Sequence, residues 1–129
     1  MKIKISELTG PALDWAVAKC LGLGKLHYTD VVGRISTLKT AVMVWSMELP
    51  GVGHGDKFSP STDWSQGGPI IERERIAVQF GPQWTAVHSR RLGRFNYGPT
   101  PLVAAMRCFV ASRLGDEVDV PDKLCQLEG

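Results

Sequence analysis

The sequence predicts an α+β fold, with a small, mostly antiparallel sheet flanked by two main helices and one short helix in a layered sandwich. Three observations carry this reading. Short strand-period segments recur along the chain, two of them joined by a tight turn. Two longer stretches repeat apolar residues at helical spacing, each after a threonine with a proline in the first turn. A third proline-led start, at Gly68-Pro69, leaves room for only a short helix. At 129 residues the expected organisation is one domain over 1–129, with 116–129 an acidic C-terminal tail.

Taken in order, Lys2–Ser6 alternates Lys and Ile as a half-buried strand does. Thr9 is the expected cap of the first helix, whose inward face is Leu13, Ala16, Val17, Cys20 and Leu21. Asp14, Trp15 and Lys19 fall off that face, and Gly22–Gly24 ends the helix. Ala41–Glu48 is apolar on both sides and reads as a covered strand. Pro50–Pro60 reads as a long loop. Its G-V-G-H-G-D at Gly51–Asp56 shares glycines with a dinucleotide fingerprint, but no helix signal follows, and a mobile hairpin loop is the better reading. Pro69 is expected at the first position of the short helix, with Glu72 and Glu74 near its positive end. Ala77–Phe80 and Thr85–His88 are strands about a Gly81-Pro82-Gln83 hairpin.

The last helix has the clearest boundaries: Thr100 caps it, Pro101 starts it and Gly115 stops it. Leu102, Val103, Met106, Phe109 and Val110 form a wide apolar face. Ala104, Cys108, Ala111 and Ser112 opposite them are small, so this helix is expected to pack on both sides, against the sheet and against a helix or a second subunit.

Composition narrows the classes. With 43% hydrophobic and 22% charged residues the chain is neither disordered nor membrane-spanning. Cys20, Cys108 and Cys125 form no close-spaced pair, which fits free thiols in a reducing cytoplasm. The formal charge of +2 divides unevenly: Gly115–Gly129 has five acids against Lys123, leaving the body at +6. Such a tail is solubilising or covers a basic groove in cis.

Candidate chemistry concentrates in two places. Ser61, Thr62 and Asp63 are turn builders, with Trp64 expected to anchor the turn by burying its ring. The alternative is a ligand-binding loop over Ser59–Pro69, with Asp63 as acid, base or cation ligand and Gly67 and Gly68 allowing close approach. Asn96–Pro101 leads into the last helix, where Tyr97 and Thr100 complete that candidate site. Arg90, Arg91 and Arg94 lie just upstream and would add an anion or nucleic-acid contact; otherwise they decorate a solvated turn. His27, His54 and His88 lack metal-ligand spacing, and no local nucleophile signature is present. Glu72 and Glu74 are two apart and diverge on a helix. Trp15 and Lys19, at i and i+4, would stack, or Trp15 would mark an interaction surface or pack on the Ser61–Trp64 loop.

Three runs, E-L-T-G-P-A-L-D-W at Glu7–Trp15, S-P-S-T-D-W-S-Q-G-G-P-I-I at Ser59–Ile71 and G-P-T-P-L-V-A-A-M-R-C at Gly98–Cys108, carry a resemblance. Together the chain resembles the NinX-like family of small bacteriophage proteins and, more loosely, the phage α/β/α-sandwich domain proteins. The matching stretches are Glu7–Lys19, Pro60–Ile76 and Gly98–Val120; the Lys25–Phe58 region is outside them. The resemblance implies helices flanking a small antiparallel sheet and a phage setting, and it transfers no catalytic residue. The expected function is therefore a phage or prophage accessory protein in the host cytoplasm. It would act on a host or phage protein without catalysis, cofactor, metal or membrane, and self-associate through Ala104, Cys108 and Ala111. Two alternatives stand beside it. One is a small-molecule or nucleotide site, with or without catalysis, built from Asp63, Trp64, Gly67, Gly68, Tyr97 and Thr100; the other is nucleic-acid binding through Arg90–Arg94.

Overall fold

A computed structural model describes the backbone of residues 1–21, 26–32, 38–45 and 54–121, and the side chains of 1–21 and 58–121. The described elements are α1 (Gly10–Leu21), α2 (Trp64–Glu74) and α3 (Pro101–Leu114), with strands β1 (Lys2–Lys4), β2 (Leu26–Val32), β3 (Leu38–Trp45), β4 (His54–Lys57), β5 (Ile76–Phe80), β6 (Trp84–His88), β7 (Phe95–Gly98) and β8 (Glu117–Asp119). The class is α+β. Among the described residues the single sheet expected from sequence is instead three antiparallel sheets, ordered β1-β8, β2-β3-β4 and β5-β6-β7.

α3 is the central element. It lies against β5, β6 and β7 and also touches α1 and α2. Every residue from Leu102 to Ala111 is buried, and burying side chains such as Met106 or Phe109 contributes roughly 1.5–3 kcal/mol each. Both of its faces are thus used within one chain. The small residues permit close approach, as foreseen, and Ala104 shows to what: a Cβ added to Gly98 of β7 would stand 2.7 Å from the Ala104 nitrogen. Ala104, Cys108 and Ala111 are therefore interior residues rather than an interaction surface. The ends match the sequence reading, with Thr100 Oγ1 accepting from the Val103 N–H at 3.1 Å and Gly115 at φ 88° closing the helix.

α1 packs on α3 and meets β2 and β3. Leu13, Ala16 and Val17 are buried, and so are Ala12, Asp14 and Ala18 from outside the expected stripe, because α1 is covered on more than one side. Arg107 joins the layers: buried on α3, its Nε donates to the Leu8 carbonyl at 2.9 Å and its Nη1 to the Tyr97 carbonyl at 2.7 Å.

Several boundaries differ from expectation. Lys2–Lys4 is the strand, and Ile5–Glu7 coils into a 3-10 turn. The Pro50–Pro60 segment is not all loop, since His54–Lys57 pairs with β3; residues 51–53 lie outside the described residues, as do 46–50 at the end of the Ala41–Glu48 strand. α2 begins at Trp64 rather than Pro69. Asp63 caps it, Oδ1 accepting from the Ser65 N–H at 2.9 Å, and Pro69 sits inside the helix at the cost of one backbone hydrogen bond. Glu72 and Glu74 consequently occupy its last turn, at the negative end of the dipole. The acidic C-terminal segment starts as strand β8, returning to pair with β1; residues 122–129 lie outside the described residues.

Candidate functional site

The Ser59–Pro69 segment is held from inside the protein. Asp14, placed on the polar side of α1 by periodicity, is buried and accepts from the Ser61 N–H at 2.9 Å. Gln66 Oε1 accepts from the Ser59 N–H, and Asp63 takes both the N–H and the hydroxyl of Ser65. The acceptors of the run are committed to backbone work. Gly67 does permit close approach, though not to a ligand: a Cβ there would meet the Pro60 carbonyl oxygen at 2.5 Å and Leu102 Cδ2 at 2.6 Å. At Gly68 the nearest atom, Trp64 Cε3, is 4.0 Å away. Trp64 does not anchor the turn; its side chain is 56% exposed, and Phe58 and Pro60 are the buried anchors.

Trp64 and Thr100 do converge, with Ser61, Pro101 and Leu102, around an apolar groove of about 240 Å³. Asp63, Gly67, Gly68 and Tyr97 are not among its lining residues, so the candidate site predicted from sequence is only partly assembled. Ser61 is 2% exposed, and its Oγ has no hydrogen-bond partner among the described residues. Trp15 is half-buried and shares a shallow cleft with Met1, Lys19, Asp119 and Val120. Asp14 of α1 contacts the Ser61–Trp64 turn through its bond from the Ser61 N–H.

A larger cleft, about 520 Å³, opens near the C-terminal ends of α2 and α3. Its floor is Glu74, 11% exposed, which sits 3.0 Å from His88 Nε2 and accepts from Arg113 Nη2 at 3.0 and 3.1 Å and from Arg73 Nε at 3.3 Å. Burial pushes the Glu74 carboxyl upward, but the bonds from His88 and Arg113 outweigh it and hold the group below the usual carboxylate range. Arg113 also stacks 5.2 Å from the Phe109 ring centre. Around this floor stand Arg73, Arg75, Arg90 and Arg113, four cations against one carboxylate.

Ser89, His88 and Glu74 line the same cleft, yet they do not form a nucleophilic triad. His88 Nδ1 accepts from the Arg90 N–H at 3.0 Å, so Nε2 carries the proton that bonds Glu74 in the neutral ring. The Ser89 hydroxyl donates to the Glu74 carbonyl at 3.2 Å instead of to an imidazole nitrogen. A base needs a free nitrogen beside its nucleophile, and this geometry supplies none. Burial pushes the thiols of Cys20 and Cys108 up to about 11, which suppresses thiolate chemistry. Among the described residues no three His, Cys, Asp or Glu side chains converge as metal ligands, and no helix is long and apolar enough to cross a membrane.

The predicted arginine trio is dispersed. Arg90 lines the cleft, Arg91 Nη1 donates to the Ala111 carbonyl, and Arg94 is exposed in the turn before β7. None of them lines the groove at the start of α3. Sequence reasoning missed Arg73, Arg75, Arg113 and the Glu74–His88 pair. The R-E-R of 73–75 was the available signal, but only Glu72 and Glu74 of this stretch entered the sequence reading, placed near the positive end of a helix starting at Pro69.

The β5-β6-β7 sheet has a third feature. Ile76, Ala86, His88 and Gly98 face α3 and are buried. By register, the opposite face carries one row of Ala77, Val87 and Phe95 and another of Gln79, Thr85 and Tyr97. Phe95 is 53% and Tyr97 47% exposed on it.

No curated protein matches the chain. The model of the family described as Bacteriophage P22, NinX matches residues 4–113, a span that holds the groove, the outer sheet face and every residue of the arginine cleft. It also runs across 25–58, which the three sequence runs had left out. The chain belongs to the Bacteriophage P22 NinX family of phage proteins.

Proposed function

We propose that this phage accessory protein works in the cytoplasm of the bacterial host by holding another protein against the outer face of the β5-β6-β7 sheet. The observation that carries the reading is the pair of exposed aromatics, Phe95 and Tyr97, beside Val87 and Ala77 on one side of a sheet whose other side is covered by α3. Aromatic residues on a rigid sheet are good anchors because they bury much area for few frozen torsions. No acid lies in either outward row, and the exposed Arg94 precedes Phe95. The body carries a formal charge of +6. The partner that fits is a host or phage protein with an apolar centre and an acidic margin.

The test is site-specific photocrosslinking in infected cells from position 95 or 97, with position 73 as control. A heterologous adduct from the face alone should appear. Once its partner is purified, binding should be lost in Phe95→Ser/Tyr97→Ser without loss of fold. Adducts only to a second copy of the chain, or equal adducts from position 73, would overturn the reading.

A second reading, a small-molecule site between the Ser59–Pro69 segment and α3, is favoured by the unpartnered Ser61 hydroxyl beside the Trp64 groove. A buried hydroxyl without a partner is costly, and a ligand acceptor would satisfy it. Ser61→Ala should then raise the Tm of the protein alone while removing the rise that a metabolite mixture gives the wild type. Equal ligand shifts in both proteins would exclude Ser61 from binding.

A further inference from the structure

We propose that the cleft between α2, β6 and the end of α3 is a phosphate-binding site, taking the phosphate of a nucleotide or of a nucleic-acid strand. The site is independent of the outer sheet face.

Its negative charge is committed inward. Glu74 meets three side-chain donors, from His88, Arg73 and Arg113, so the one carboxylate of the floor is already compensated by cations of this chain. This pair also sets the rim. His88 holds the Arg90 N–H on its Nδ1, fixing the backbone from which the Arg90 side chain projects, and Glu74 pins Arg113. What remains around the opening is cationic. Among the described residues the side chains of Arg75 and Arg90 enter no ion pair, and both line the cleft. Guanidinium groups match phosphate oxygens in pairs, so two uncommitted arginines over a neutralised floor favour that anion over a single point charge such as chloride.

Arg75 supplies an independent argument. It joins α2 directly to β5 at φ 55°, in the left-handed region, and is the one non-glycine residue with positive φ among those described. Glycine is the residue that position favours. An arginine there costs backbone strain, and strain held beside a cleft points to use of the side chain. The cleft, about 520 Å³, is of the size that accommodates a nucleotide.

The experiment compares the wild type with Arg75→Gly, Arg90→Gln and the exposed control Arg94→Gln. Probes are inorganic phosphate, pyrophosphate, a nucleoside triphosphate and a short single-stranded oligonucleotide at low ionic strength. Arg75→Gly relieves the left-handed strain, so its Tm should be unchanged or higher while affinity falls roughly tenfold. Arg90→Gln should weaken binding to a similar degree, and Arg94→Gln should not. A Tm rise with pyrophosphate or the triphosphate identifies a free phosphorylated ligand. Binding of the oligonucleotide alone identifies a strand, with the salt slope lowered by roughly 0.7 per arginine removed. No binding by any probe, or wild-type affinity in both cleft variants, would overturn the proposal.

Discussion

The two ends of α3 use polar residues in opposite ways. At the N-terminal end Asp14, Asp63, Gln66 and Thr100 each accept a backbone N–H, so nearly every acceptor there shapes the chain. Trp64 and the Ser61 hydroxyl are what remain. At the C-terminal end one carboxylate gathers three donors, yet four arginines surround it and two of them are uncommitted. The first end is centred on one dense run of turn formers, Ser59–Gly67, tied to α1 by a bond spanning 47 positions. The second is assembled from three short segments, with Arg113 and Glu74 39 positions apart and no such run among them. A dense run of turn-forming residues reports on backbone architecture. An excess of charge assembled from distant segments reports on what the surface is able to hold.

This contrast can be tested by damaging each end in turn. The largest effect is expected from Gly67→Ala or Gly98→Ala, whose new Cβ would meet backbone atoms at 2.5 and 2.7 Å. Overpacking of this kind costs about 1–3 kcal/mol, read as a lower urea midpoint. Gly68→Ala, next to open space, should instead be neutral or stabilise by up to ~1 kcal/mol. Next comes Asp14→Ala, which strips the buried Ser61 N–H of its acceptor and should cost about 1–3 kcal/mol. Asp14→Asn keeps an acceptor and should recover much of that.

At the other end, Glu74→Gln should cost roughly 1–2 kcal/mol at neutral pH through weaker bonds to His88 and Arg113. The Glu74 carboxyl is lowered in the folded state, so its contribution is present above the ordinary carboxyl range and lost as pH falls through the lowered value. The variant should therefore lose part of the acid limb seen in the wild-type stability profile. An unchanged limb would mean that the carboxylate is not holding the cleft. Smallest is Asp63→Ala, a helix cap worth about 1 kcal/mol, visible in Tm alone.

What was legible in the sequence follows the same division. Thr100, Pro101 and Gly115 bounded α3, and Gly81-Pro82-Gln83 marked the β5–β6 hairpin, because caps and turns are set by interactions a few residues apart. α2 was misplaced because the proline-led reading put Pro69 at the first helical position, whereas the Asp63 cap starts the helix at Trp64 and leaves Pro69 inside it.

By itself the sequence determined the α+β class, the span of the last helix, the hairpin and the phage family resemblance, all of which rest on short-range stereochemistry or on runs of adjacent residues. Only the tertiary structure decided that Asp14 faces inward, that Ala104, Cys108 and Ala111 are interior, that Trp64 is exposed, and that Arg75 and Arg90 stand over a Glu74 already neutralised by Arg113. Those outcomes depend on which elements α3 packs against, and burial and charge compensation exist only once distant segments have been brought together.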